Sequence, residues 1–313
     1  MNLLCRCLML GVLVVAAACT PDPSAPRELH IGTASLGGAF YPVGQTASNL
    51  VTRHADGLTM LPVVSAGAIQ NPRLVDAGEI DLGITNGNFA WLAANADAPY
   101  ETALSIQAVG ALHASVLHMV TLAGSDIERF EDLRGKRVAV GPAGGGTWGY
   151  LTRLLDVHGM EPADLTPSFV SYTDGFAQLG DGNVDAALAL AGYPTAAVSQ
   201  ALATKELAFI ELADDKQAAL LERYPYYTTQ QVPAGTYRQP DDITMPAVSN
   251  LLIVNSKTDA DVVFAVTAAI YGHLDEFREQ NAIARQIDPA RSLHLPIPLH
   301  AGAARFFAPD LTE

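Results

Sequence analysis

The sequence predicts an α/β protein built as two lobes, and three observations carry that prediction. Short apolar runs of β character alternate with helical patterns, the alternation starts afresh near residue 116, and a glycine-rich loop opening a helix occurs once in each series. At 313 residues, 49% hydrophobic and 16% charged, the chain has the length for roughly two domains and the apolar content for a sizeable core, so disordered and fibrous classes are excluded.

In the first series, Leu29 to Gly32 reads as a strand, Val43, Ala47, Leu50 and Val51 fall at helical spacing, and Leu58 to Val64 and Leu82 to Thr85 read as further strands. The second series opens with Val116 to Leu122 and Arg137 to Gly141. It continues through the helical stripe Tyr150, Leu151, Leu154, Leu155 and His158 to the strand-like Ala186 to Leu190. Ser249 to Val254 is a late β-rich run, followed by one long amphipathic helix carrying Val262, Val266, Ile270, His273 and Phe277 on a single face. Strand and helix in alternation imply a parallel sheet with crossover helices.

The N-terminus reads as an address and an anchor. Arg6 precedes the apolar run Cys7 to Ala18, which is short for a bilayer span and reads as a signal peptide over residues 1–18. Ala16, Ala17 and Ala18 directly before Cys19 resemble a bacterial lipobox, so Cys19 is the expected lipidation site and residues 19–27, with Pro21, Pro23 and Pro26, the extended tether. Cys5, Cys7 and Cys19 are the only cysteines, so residues 20–313 hold no disulfide and no thiolate nucleophile. No later segment reaches 18 unbroken apolar residues.

Charge narrows the partners. Eighteen Lys and Arg stand against 33 Asp and Glu, a net charge of -15, which argues against nucleic acid and against a basic membrane-binding face. The two glycine loops supply a local exception. Gly32-Thr-Ala-Ser-Leu-Gly-Gly38 precedes a helix with Pro42 in its first turn, and Gly141-Pro-Ala-Gly-Gly-Gly146 precedes a helix for which Thr147 is the expected N-cap. Backbone N–H groups turned inward, backed by a helix N-terminus, favour an anion without any basic side chain. The second loop has P-loop glycine spacing but Thr147 in place of the lysine, and glycines 32, 37 and 38 do not match a dinucleotide fingerprint, so nucleotide chemistry is not expected.

Five segments in order resemble the TAXI family of TRAP-transporter solute receptors: Gly32 to Pro42; Ala66-Gly-Ala-Ile-Gln-Asn-Pro-Arg73 with Asp81-Leu-Gly-Ile84; Gly135-Lys-Arg-Val-Ala-Val-Gly-Pro142; Asp185 to Gly192 with Pro194; and His300-Ala-Gly-Ala-Ala-Arg-Phe-Phe307. The resemblance implies a two-lobed, type II-like periplasmic-binding-protein fold with crossing strands as hinge, near 113 to 118 and 246 to 252. Lobe 1 would comprise residues 28–115 and 247–313, and lobe 2 residues 116–246. It also implies a periplasmic receptor that captures a small organic anion, a carboxylate, and delivers it to a TRAP-type integral membrane permease, with no cofactor.

By motif position the ligand would meet Ser35, Gly37, Gly38, Phe40, Tyr41, Gly67, Asn71, Asn86 and Asn88 in lobe 1. Gly144, Gly145, Gly146, Thr147, Gly192 and Pro194 would face them from lobe 2, with Trp148 as an added apolar wall. Ala68 and Gly145 stand where the family commonly has serine, and Asn86 where it has glutamine, so a carboxylate less polar or bulkier than glutamate is the expected ligand.

Other chemistry has little support. The eight histidines show no H-E-x-x-H and no i,i+4 pair, so no metal site is expected, and His158 and His273 read as core or boundary residues. There is no G-x-S-x-G elbow, and Asp214, Asp215, Asp241 and Asp242 read as helix-start or loop residues. Tyr224, Tyr226 and Tyr227 either face the cleft or form a packed loop. The expectation is a receptor rather than an enzyme. A ligand-sensing module for a signalling partner is the alternative, and an enzyme on the same scaffold the weaker one.

Overall fold

The computed structural model describes residues 26–224 and 226–309; the expected signal segment, Cys19 and the tether up to residue 25 lie outside the described residues. The first series contains β1 (Arg27–Gly32), α1 (Phe40–His54), β2 (Leu58–Val63), α2 (Gln70–Ala77), β3 (Leu82–Asn86) and α3 (Gly87–Ala94). β2 and β3 flank β1, both parallel to it. β3 is buried at every position and shows no polar alternation, because helices and strands cover both its faces.

β4 (Ile106–Leu122) then leaves this series for the second. There follow β5 (Arg137–Ala139), α4 (Gly146–Val157), β6 (Thr166–Ser168), α5 (Tyr172–Gly180), β7 (Ala186–Ala191), α6 (Ala196–Leu202), β8 (Leu207–Phe209), α7 (Asp214–Arg223) and β9 (Thr228–Val232). β5 runs parallel to both β6 and β7. Arg137 and Asp185 pin the β5–β7 edge: the carboxylate accepts from the Arg137 backbone N–H at 2.8 Å and from its guanidinium at 2.7 Å. β10 (Ile243–Asn255) returns to the first series, and α8 (Ala260–Tyr271), α9 (Leu274–Gln280) and α10 (Ala301–Phe307) finish the chain against it.

The main path of the sheet runs β2-β1-β3-β10-β4-β7-β5-β6, with β8 on β4 and β9 on β10. Parallel strands lie at both ends, and β4 and β10 cross between them antiparallel to each other and to their neighbours. Three cores divide along this path. One surrounds Ile31, Val43, Leu50, Ile84 and Phe277; the others lie on the two faces of the second half-sheet, around Phe130, Tyr150 and Leu154 and around Val120, Phe176 and Val198. On β4 the change from the first core to the others falls between Leu112 and Val116, and on β10 between Leu251 and Val248. The protein is therefore a two-lobed α/β molecule hinged on two strands.

The ladder is irregular at that change. Ser249 pairs with Ala114 but Leu251 with Ala111, so Leu112 and His113 together face Asn250. Such a bulge bends the strand and increases its twist, which suits a boundary between lobes.

Three local expectations need correction. Val116 to Leu122 does not begin a strand: it is the second half of the 17-residue β4. The long C-terminal helix is two helices, because Gly272 closes α8 and His273, in a non-helical conformation, opens α9. Thr147 does not cap its helix; Gly145 occupies the N-cap and Thr147 lies inside the first turn.

Candidate functional site

The cleft lies where the two glycine loops meet across the hinge. Lobe 1 contributes Ala34, Ser35, Gly38, Ala39 and Phe40 from the β1–α1 loop, Ala66, Gly67 and Ala68 from the approach to α2, and Asn86 from the end of β3. Lobe 2 answers with Pro142, Gly145 and Gly146 before α4, Tyr172 at the start of α5, and Leu190 on β7. The first turns of α1 and α4 both open onto this space, so main-chain N–H groups and the positive ends of two helices face it. No charged side chain lines it. Ser35 Oγ is buried with no hydrogen-bond partner, a free donor and acceptor in the wall.

The lobes are closed. Thr195 Oγ1 donates to the Gly37 carbonyl at 2.8 Å and the Ala197 N–H to the same oxygen at 3.3 Å. The Ile69 N–H donates to the Gly144 carbonyl at 3.0 Å, and Gln286 Nε2 to the Tyr193 carbonyl at 2.7 Å. Gly67, at φ +106°, holds a left-handed turn that brings it against Gly145, and beside them Gly144 lies so near Ala66 of the other lobe that a Cβ there would collide with it. About 20 Å³ remains open to the centre of a water-sized sphere, room for roughly one water molecule. A larger ligand enters only when the lobes separate.

Several predicted residues do other work. Thr147 Oγ1 bonds the Tyr172 hydroxyl at 2.7 Å and accepts the Leu190 N–H at 3.2 Å, while Tyr172 donates to the Leu190 carbonyl at 3.1 Å. Thr147 thus fixes the ring that lines the cleft, and burial raises the Tyr172 phenol above its usual range. Asn71 Nδ2 donates to the carbonyls of Gly32, Thr33 and Ile84 and braces lobe 1 from within. Gly37, Gly144 and Gly192 sit at contacts between lobes or beside the hinge. Tyr41 is half-buried and Pro194 is exposed after a cis peptide bond; neither is among the residues lining the cleft. Asn88 and Trp148 line a second cavity on the far side of Phe89. Of the sixteen expected positions, Ser35, Gly38, Phe40, Gly67, Asn86, Gly145 and Gly146 come together.

Sequence reading missed the buried polar groups behind the cleft. Asn86 Nδ2 donates to Asn250 Oδ1 at 2.7 Å, and Asn250 Nδ2 donates to Ser115 Oγ at 2.9 Å, joining β3, β10 and β4 at the bulge. His113 is wholly buried, edge-on to Phe40 with centroids 6.2 Å apart, and neither ring nitrogen has a partner. Desolvation pushes its pKa down to about 3, so it is neutral. His118, also buried, is pushed down to about 4 by desolvation, partly offset by its hydrogen bond to the Ala189 carbonyl. Tyr172 also went unseen; the signal was indirect, since Gly141 at φ +74° leaves the space its ring fills. Among the described residues no group of three His, Cys, Asp or Glu side chains could hold a metal ion, and no helix is long and apolar enough to cross a membrane.

Two α/β lobes closing on a cleft beside paired crossing strands define the periplasmic-binding-protein class of architecture. The chain belongs to the NMT1-like family, whose profile matches residues 31–308. Similar solved structures include the periplasmic aliphatic sulphonate binding protein SsuA from Escherichia coli, at 18% identity over 90% of each chain with a TM-score of 0.46. The alkanesulfonate-binding protein SsuA from Xanthomonas axonopodis pv. citri bound to MOPS is 15% identical over 90% of each chain, TM-score 0.43. A nutrient binding protein from Burkholderia cenocepacia bound to methionine is 16% identical over 80% of this chain and 94% of that one, TM-score 0.47.

Proposed function

We propose that the protein is a periplasmic solute receptor of the TAXI type, which captures a small organic carboxylate between its lobes and delivers it to a TRAP-type permease. The observation that carries this reading is the pairing of two glycine loops, one per lobe, each opening a helix toward the same buried space beside the unpartnered Ser35 Oγ. A carboxylate there replaces its hydration with main-chain N–H groups that are already oriented, so the net charge of -15 does not prevent capture. Ala68, Gly145 and Asn86 all line the space, which makes the wall more apolar and favours an acid with a short hydrocarbon body over glutamate. Ligand contacts from both lobes give the differential affinity that drives closure, and the closed form is what a permease recognises.

Mass spectrometry of small molecules carried through purification, followed by calorimetry against a panel of organic acids, tests the capture step. A carboxylate bound with scattering-detected compaction is expected; saturation without compaction refutes closure as the signal. We also propose that Cys19 carries lipid and anchors the receptor to the membrane. Metabolic labelling with a tagged fatty acid is expected to mark the wild-type chain and not C19A.

A further inference from the structure

Beyond the cleft, a second and larger cavity of about 220 Å³ lies across the same pair of lobes. Phe89 separates the two: its ring abuts Gly146 on the cleft side and Gly149 on the other. The walls are aromatic and come from both lobes, with Phe89 from α3 meeting Trp148, Tyr226 and Tyr227.

Thr152 spends its hydroxyl on the Gly149 carbonyl at 2.9 Å, and of the other polar side chains in these walls two bear on a ligand. Asn88 is 3% exposed, its Nδ2 donates to the Tyr227 hydroxyl at 3.4 Å, and its Oδ1 has no partner. A buried carbonyl oxygen without a donor is costly, and Asn88 is one of the residues that line the cavity. The other is Arg153 on α4. Its guanidinium lies over the Tyr224 ring, 5.3 Å from the centroid, and among the described residues it makes no ion pair. Asp156 on the same helix is already taken by Arg223 at 3.0 Å and by the Tyr224 hydroxyl at 2.6 Å. In a protein with nearly twice as many acids as bases, a cation at a cavity rim whose nearby acid on the same helix is already paired with another arginine can still take an anion.

We infer that this cavity is a separate binding site for an aromatic carboxylate bearing a ring hydroxyl, which sets its carboxylate on Arg153, its ring among the aromatic side chains and its hydroxyl against Asn88 Oδ1. The inference goes beyond the reading of the main cleft and does not depend on what that cleft holds. Because both lobes wall the cavity, its occupant favours the closed arrangement.

The test uses the full-length chain and 4-hydroxybenzoate. The protein has two tryptophans, Trp91 and Trp148, so W91F leaves the cavity residue as the reporter. Saturable quenching of Trp148 emission is expected, with R153Q weakening it about 10- to 100-fold, the range for loss of a charged hydrogen bond. Benzoate, which lacks the hydroxyl, should bind about 3- to 10-fold more weakly than 4-hydroxybenzoate, and that difference should vanish in N88A. S35A alters only the main cleft and should leave the affinity within about twofold. No saturable quenching up to about 10 mM overturns the inference. So does undiminished binding by an R153Q protein whose thermal melt matches wild type, and an S35A loss as large as that of R153Q would move the ring into the main cleft.

Discussion

Acid should destabilise this protein well above the range where its carboxylates titrate, and the two histidines of β4 set the size of the effect. The perturbation is a fall from about pH 7.5 to about pH 5. An unfolded imidazole titrates near 6.5, whereas burial holds His113 at about 3 and His118 at about 4. Both folded values are depressed, so the neutral ring is the native form. The cost of keeping it neutral is absent above the unfolded value, grows as pH falls through 6.5, and levels off only at the folded values. At about pH 5 each histidine should cost about 2 kcal/mol, about 4 kcal/mol together, a large share of an ordinary folding free energy of roughly 5–15 kcal/mol. His158 and His300 are shifted down as well, mainly by burial, and act in the same direction. Asp185 is held low, mainly by its hydrogen bond to Arg137, so its stabilisation is lost only below this window. Urea unfolding at the two pH values measures the difference. H113L should remove about half of the loss and H118Q most of the rest, each whatever its effect at neutral pH. Equal stability of the wild type at both values, or an undiminished loss in H113L, would refute the burial argument.

T195V removes the hydroxyl that reaches the Gly37 carbonyl, and should weaken closure by about 1 kcal/mol, read as a lower ligand affinity with an unchanged melting temperature. In G146V the new side chain would collide with Asn86, so scattering should find a molecule that stays open at every ligand concentration. N250A leaves Asn86 and Ser115 without their buried partner and should cost roughly 1–3 kcal/mol in chemical unfolding.

Sequence periodicity reads well where an element has one wet face. α1 buries Val43, Ala47, Leu50 and Val51 at the predicted spacing, and β1 and β2 fall where the apolar runs put them, while β3, buried throughout, was legible only because it is short and bounded by turns. β4 and β10 were seen only in part because almost every position in them is buried, so no alternation marks where they begin. Either glycine loop alone reads as an ordinary tight turn; the pair was legible because one opens a helix in each series. Asn250, Ser115 and His113 were not, since each sits in an apolar run and acquires its meaning from a strand pairing more than 130 residues distant for Ser115 and Asn250. The break at Gly272 was hidden for the opposite reason: the apolar stripe runs through it unchanged.

The hydrogen bonds around His118 link the buried strand to the interlobe latch. Its Nδ1 faces the Ala189 carbonyl at 3.0 Å, which must be a donated hydrogen, so Nε2 is left to accept from the Tyr237 hydroxyl at 2.7 Å. That hydroxyl in turn accepts the Thr195 N–H at 2.8 Å, and Thr195 is the residue that holds Gly37 across the cleft. Only one arrangement of protons satisfies the series. A second proton on His118 would turn Nε2 into a donor, and Tyr237 would then accept twice with no acceptor for its own hydrogen. Thr195 would lose its fixed seat from inside lobe 2. The hydrogen bonds of Thr195 and Ala197 to the Gly37 carbonyl each contribute about 1 kcal/mol to closure, and that contribution is what a displaced Thr195 would forfeit. Folded His118 takes that proton only as pH nears about 4, so the latch should loosen and release ligand there, below the range in which the unfolded imidazoles already weigh on stability.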